Sequence, residues 1–180
     1  MNCEKEISNG VKKLNFGCGK DIKNGYINAD IVQFDGTDKV FDFSVFPYPF
    51  SDNEFDEIIA DNVLEHLDDI PAVMKELHRI TKSDGTVRII VPYYNCYGAY
   101  NDITHKHYFS HLSFEPFYKK NTRGNYNVRE EFKLRNMKLV PTRLGKFLLF
   151  DFLRLPLSFV FGQVIQAIDI TLTAKKSRET

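Results

Sequence analysis

The sequence has little cysteine: only Cys3, Cys18 and Cys96, with no CxxC pair. An odd number of distant cysteines argues against a zinc knuckle or a disulfide framework, and a reducing cytosol is the expected compartment. No apolar N-terminal stretch has the form of a secretion signal. No internal repeat or low-complexity tract appears. The one long apolar stretch, from Phe147 to Ile170, is broken by Asp151, Arg154, Pro156, Ser158, Gly162 and Gln163, which argues against a spanning helix. Net charge is absent as well, with 24 Lys and Arg against 24 Asp and Glu.

What is present is an ordinary globular composition, 43% hydrophobic and 27% charged over 180 residues, enough for one domain with a sizeable core. The neutral total hides an asymmetry. Met1–Ile70 carries 6 basic and 15 acidic residues, whereas Tyr118–Lys146 carries 9 basic and 2 acidic. Such a block reads as a solvated face or as a surface for an anionic partner. Val11–Phe16, Tyr26–Ile31, Phe55–Ala60 and "TVRIIVP" read as strands. Asp68 or Asp69 caps a helix with Pro71 in its first turn. Val73, Leu77 and Ile80 recur at helical spacing, and Gly85 reads as the stop. Strands alternating with helices predict a parallel sheet with both faces covered. Ile168, Ile170, Leu172 and Ala174 alternate with polar residues, as in a half-exposed antiparallel strand near a sheet edge.

The stretch "KKLNFGCGKDIKNGYINADI" places Gly-x-Gly directly after the first strand. In an α/β chain that puts a ligand at the carboxyl end of the sheet. A dinucleotide fingerprint needs a third glycine opening a helix, but Ile22 stands there. Six residues between Gly19 and Tyr26 are too few for a crossover helix. A nucleoside ligand without a pyrophosphate fits better, with Asp30 at the end of the next strand to accept hydrogen bonds from ribose hydroxyls.

Five pieces in order, "LNFGCG", "YINADI", "FPYPFSDNEFDEIIADNVLEHL", "ELHRITKSDGTVRIIVP" and "DITHKHYFSHLSFE", resemble a class I S-adenosylmethionine-dependent methyltransferase of the small LNxGCG, type 11-like kind. The resemblance spans roughly Val11 to Glu115. It implies a Rossmann-like three-layer α/β sandwich whose seven-stranded sheet is mostly parallel with an antiparallel C-terminal strand. A single domain covers 1–180, with an apolar helical insertion at 146–166. It implies S-adenosylmethionine as cofactor, bound by Asn15, Gly17, Cys18, Gly19, Asp30, Asp42 and Asn62. Cys18 contributes backbone only, and Asn15 stands where many relatives carry an acidic residue.

Transfer of a methyl from a sulfonium needs chiefly alignment, and a protein base is required only when the acceptor must lose a proton. The loop "NDITHKHYFSH" offers His105, His107 and His111 with Asp102 upstream. Its Thr-His pair, shared with the family, favours His105 as general base, with His107 as the second candidate. A metal is not expected, because H-x-H-x3-H in a loop has no second cluster beside it. His66 reads as a structural residue at a helix start.

The expected acceptor is a small molecule, a glycan or a lipid-linked sugar, methylated on oxygen. No N-P-P-Y-type tetrapeptide points to amino-nitrogen methylation. Two other readings are a non-catalytic nucleoside-binding or scaffold protein of the same fold, and a nucleic-acid methyltransferase supported only by the basic block. Asp151, Arg154 and Ser158 form a polar stripe on an otherwise apolar helix, so the C-terminal third reads as core or dimer interface. The alternative is an element lying on an anionic membrane surface.

Overall fold

The computed structural model describes residues 10–120, 131–146 and 151–176. In chain order these form β1 (Lys13–Phe16), β2 (Ile27–Asp30), β3 (Lys39–Val40), β4 (Phe55–Asp61), α1 (Ile70–Ile80), β5 (Thr81–Pro92), α2 (Glu115–Tyr118), β6 (Phe132–Pro141), α3 (Arg143–Lys146), α4 (Asp151–Val160) and β7 (Ile165–Ala174). One seven-stranded sheet runs β3-β2-β1-β4-β5-β7-β6. The pairs β1–β2, β2–β3, β1–β4 and β4–β5 are parallel, and β7 is antiparallel to both β5 and β6. This is the Rossmann-like α/β fold expected, with its antiparallel C-terminal strand.

Burial explains the strand pattern. Leu14 and Phe16 on β1, Ile58 and Ala60 on β4, and Val87, Ile89 and Val91 on β5 lie in one hydrophobic cluster. From β7, Ile168, Ile170 and Leu172 join it in strict alternation. The helix α1 closes this face with Val73, Met74, Leu77 and Ile80. Asp69 caps it, its Oδ1 accepting from the Ala72 N–H at 2.9 Å, with Pro71 in the first turn. The helix stops at Thr81, whose hydroxyl donates to the Leu77 carbonyl at 2.6 Å. Gly85 is therefore not the stop signal. It lies in β5, where a Cβ would meet the Asp56 carbonyl oxygen at 3.1 Å.

On the opposite face the middle strands carry paired charges. Lys13 meets Glu57 at 3.0 Å, and Arg88 grips Asp169 with two hydrogen bonds of 2.9 and 2.8 Å. The connection from β3 to β4 is held by aromatic packing, Phe16 on Phe43 at 4.0 Å, and by Arg79. Its guanidinium donates to both Glu76 oxygens, to Asp52 and to the Phe50 and Tyr48 carbonyls.

Most of the described part of the basic block is an edge strand. In β6, Lys133, Arg135 and Lys138 are exposed, while Phe132 is buried and Leu134, Met137 and Leu139 are half-buried. Lysines and arginines on an edge strand blunt its capacity to pair with another chain. Residues 121–130 and 147–150, which also belong to the basic and apolar stretches, lie outside the described residues. With β6 at the edge, β7 sits one place in. In α4, Ser158 is buried and Arg154 donates to the Gly145 carbonyl at 3.1 Å, while Phe152, Phe159 and Val160 are exposed. No helix among the described residues is long and apolar enough to cross a membrane.

Candidate active site

The loop after β1 turns sharply because two glycines take left-handed backbone angles, φ +72° at Gly17 and +47° at Gly19. Both the Gly17 and Cys18 N–H groups donate to the Ala29 carbonyl, at 2.8 and 2.9 Å. The two glycines do different work. A Cβ at Gly17 would lie 2.3 Å from Val63 Cγ2, whereas one at Gly19 would meet nothing within 4 Å. Gly17 is thus required by packing against Val63, and Gly19 is the position that faces open space.

Asp30 stands at the carboxyl end of β2, almost fully buried. Its Oδ2 accepts from the Gly19 N–H at 2.7 Å and its Oδ1 from the Val32 N–H at 3.0 Å. A carboxylate has about four acceptor positions, so two remain for a ligand. Asn62, just past β4, takes a left-handed φ of +53° and donates from Nδ2 to Asp61 at 2.8 Å. Asn15, Cys18 and Asp42 each hold partners within the chain. The buried Asn15 amide donates to the Asp21 carbonyl and to Asn28 Oδ1, at 2.8 and 2.9 Å, so it fixes the glycine loop from behind. Cys18 is buried, and burial pushes its thiol pKa up, which disfavours the reactive thiolate. Asp42 is exposed, and its Oδ1 accepts from the backbone and hydroxyl of Ser44.

Beside Asn62 opens a cleft of about 700 Å³ over the ends of β4, β5 and β7, with Glu65, His66, Asn101, Asp102 and His105 on its wall. The single 3-10 turn Leu64–His66 that follows β4 brings Glu65 and His66 against the loop after β5. The Lys106 and His107 N–H groups donate to the Glu65 carbonyl at 2.7 and 3.2 Å, which locks the two segments together. The rings of His66 and His105 meet edge to face, 4.7 Å apart. His66 is therefore part of the cleft and not a helix-start residue. His107 points away, with Nε2 at 3.3 Å from the Asp68 carbonyl, and does not reach the cleft wall. The chain separation of His66 and His105 hides their meeting, and only the sheet order reveals it.

The hydrogen bonds fix both imidazoles in one tautomer. His105 Nδ1 lies 3.0 Å from the Ala99 carbonyl, which can only accept, so Nδ1 carries the proton. Thr104 Oγ1 donates its one hydrogen to Asp102 Oδ1 at 2.7 Å, so at 2.9 Å it must accept from His66 Nδ1. Each ring is left with a free lone pair on Nε2. Burial and the neighbouring His105 also lower the His66 pKa, which keeps it neutral. Facing them is Glu65, 1% exposed, with neither carboxylate oxygen hydrogen-bonded. Its Oε1 lies 4.0 Å from His105 Nε2.

Burial raises the Glu65 carboxyl from its ordinary 4.5 to about 7. The folded protein then holds a proton that the unfolded chain has already released, so stability falls as pH rises from about 4.5 to 7. Glu65→Gln should remove this slope. In chelator-treated protein it should be about 3 kcal/mol more stable than wild type at pH 8 and equal to it at pH 4. Parallel stability-against-pH curves for the two proteins would refute the shift.

Residues 14–89 match the family described as the methyltransferase domain. That match spans 76 of the chain's 180 residues. The likeness implies S-adenosylmethionine as the cofactor. The matched span ends at Ile89, before the loop that carries His105. A comparison with curated proteins gives no match. Solved structures share the fold at low identity. An S-adenosylmethionine-dependent methyltransferase from Archaeoglobus fulgidus is 16% identical, with 91% of this chain and 86% of that one covered and a TM-score of 0.61. The YcgJ protein from Bacillus subtilis is 14% identical over 96% and 95%, with a TM-score of 0.60. The cyclase SpnF is 13% identical over 97% and 79%, with a TM-score of 0.62. That a cyclase shares the fold means the reaction must be argued from the site.

The residues at the sheet edge fit the cofactor. Asp30 offers a nearly buried carboxylate with spare acceptor positions for ribose hydroxyls, and Gly19 leaves the adjacent space open.

Proposed function

We propose that this methyltransferase domain methylates a hydroxyl of a small, hydroxyl-rich acceptor such as a glycan or lipid-linked sugar. The observation that carries the reading is the position of Asn62. It lies just past β4, at the carboxyl edge of the sheet that also carries Asp30 and the Gly19 loop, and it lines the cleft that holds His105. Cofactor edge and acceptor cleft thus share a wall.

The bound cofactor supplies an electrophilic methyl on a sulfonium; everything else falls to the chain. Asp30 would hold the ribose, and Asn62 would border the methionine portion. His105 Nε2, with its lone pair fixed by the Nδ1 hydrogen bond to Ala99, would take the acceptor proton. Glu65 would favour the imidazolium that results, since a carboxylate within about 4 Å stabilises a positive charge. The cleft wall mixes apolar Ile90, Ile103 and Val140 with Asn101, Asp102 and Gln166, whose polar groups would orient the hydroxyls of the acceptor. Holding donor and acceptor in a near-attack geometry can account for about 7–11 kcal/mol of the barrier.

The cofactor assignment is tested at Asp30. Loss of two ribose hydrogen bonds should weaken S-adenosylmethionine binding about 5- to 150-fold in Asp30→Ala. Because the same carboxylate holds the Gly19 and Val32 N–H groups, the melting temperature is read alongside calorimetry. Unchanged affinity in a folded D30A protein would sink the ribose role. The acceptor is sought by a labelled-methyl screen against fractionated cell lipids, glycans and RNA. Label entering only RNA would replace the glycan reading with the nucleic-acid one.

A further inference from the structure

We propose that Glu65, His66 and His105 form a binding site for a divalent transition-metal ion of the zinc class, opening into the cleft. The ligating atoms of the three residues lie within 4.8 Å of one another. One carboxylate and two imidazoles are a donor set that suits zinc and its first-row neighbours, and three protein ligands leave positions open for water or substrate.

Two further observations distinguish this group from a chance cluster. The first is the outer shell. A metal-bound histidine almost always donates its other ring N–H to a carbonyl or carboxylate, which presents the remaining nitrogen to the ion. Both histidines here are held that way: His105 by the Ala99 carbonyl, and His66 by the chain Thr104 to Asp102. The second is Glu65, which is 1% exposed with both oxygens lacking a hydrogen-bond partner. Buried carboxylate oxygens without partners are costly, and a cation shared by Glu65 and the two imidazoles would satisfy all three groups. The sequence separates Glu65–His66 from His105, so neither half has the look of a metal motif alone.

The site does not depend on the methyl-transfer reading, because ion binding is measured directly. Proton and cation compete for the one His105 lone pair, so the base role given above belongs to the metal-free protein.

The test uses the full chain, stripped with a chelator and titrated calorimetrically with ZnCl2 and, separately, with MgCl2. Saturable one-to-one Zn2+ binding is expected, with no comparable Mg2+ binding, since Mg2+ favours oxygen ligands. His105→Ala and His66→Ala should each weaken Zn2+ binding at least about 100-fold, and Thr104→Val, which removes an outer-shell support, about 10-fold. Glu65→Gln keeps the shape of the site and covers the case in which an alanine variant misfolds; it too should weaken binding, and Zn2+ should no longer raise the melting temperature. His107→Ala should bind as wild type does. Absence of one-to-one Zn2+ binding in the wild type, or equal affinity in folded Glu65→Gln, His66→Ala and His105→Ala, overturns the site.

Discussion

His105→Ala should lower methyl transfer to a hydroxyl acceptor about 10²- to 10⁴-fold, the usual contribution of a positioned general base. The assay is run on chelator-treated protein, so that the base alone is read. S-adenosylmethionine affinity should stay within about twofold, because His105 lies on the acceptor side of Asn62 and not in the row of Gly19 and Asp30. The loss should be in kcat, since the proton is taken only as the transition state forms. Wild-type turnover in the variant would make His105 structural, a pin between the 98–105 loop and the Leu64–His66 turn. A collapse of cofactor binding would give the loop a covering role and leave no case for a base. His107→Ala is the internal control. Its ring is turned toward the Asp68 carbonyl, and its turnover should match wild type.

The second large effect falls on stability. Gly17→Val should destabilise the domain by about 2–6 kcal/mol. Forcing a side chain into packed core costs about 1–3 kcal/mol, and a β-branched residue held at positive φ costs about 1–3 more. The collision is specific, with a new Cβ 2.3 Å from Val63 Cγ2. For a chain of this size each kcal/mol lowers the melting temperature by about 2–4 °C, so a fall of roughly 5–20 °C is expected. Gly19→Ala meets no neighbour and bears only the backbone strain, so its effect should be much smaller on stability and should appear in cofactor affinity instead. Equal melting temperatures for Gly17→Val and wild type would contradict the packing account. The resemblance named Gly17 for the cofactor; the structure adds its close packing against Val63.

Much of the scaffold was legible because local signals agreed with the global fold. Asp69, Pro71 and the Val73–Leu77–Ile80 spacing marked α1 correctly, and the alternation from Ile168 to Ala174 marked β7. What was missed has physical reasons. The strand β6 was hidden because its exposed Lys133, Arg135 and Lys138 dominate its composition, as edge strands require. Gly85 read as a helix stop because glycine is common there, yet Thr81 ends α1 with its own side chain. At the cofactor edge, Gly19, Asp30 and Asn62 were named from strand ends and resemblance. The bracing of the glycine loop by the Asn15 amide was not legible, because a buried amide and a ligand-facing amide look alike in sequence. The Glu65–His66–His105 group was not legible as a unit. Its members meet only because β4 and β5 are neighbours in the sheet, and neither a turn nor a loop histidine announces its partner.

The most direct test of the whole account follows the labelled methyl of S-adenosylmethionine in a single-turnover reaction with the chelator-treated wild-type chain and fractionated cell glycans and lipids. The account predicts label transferred to a hydroxyl-bearing product, in an amount set by the protein added, with the transfer abolished or slowed at least about 100-fold in His105→Ala. Tight cofactor binding with no label leaving the cofactor for any fraction would contradict it, and would make the chain a nucleoside-binding protein on a methyltransferase fold.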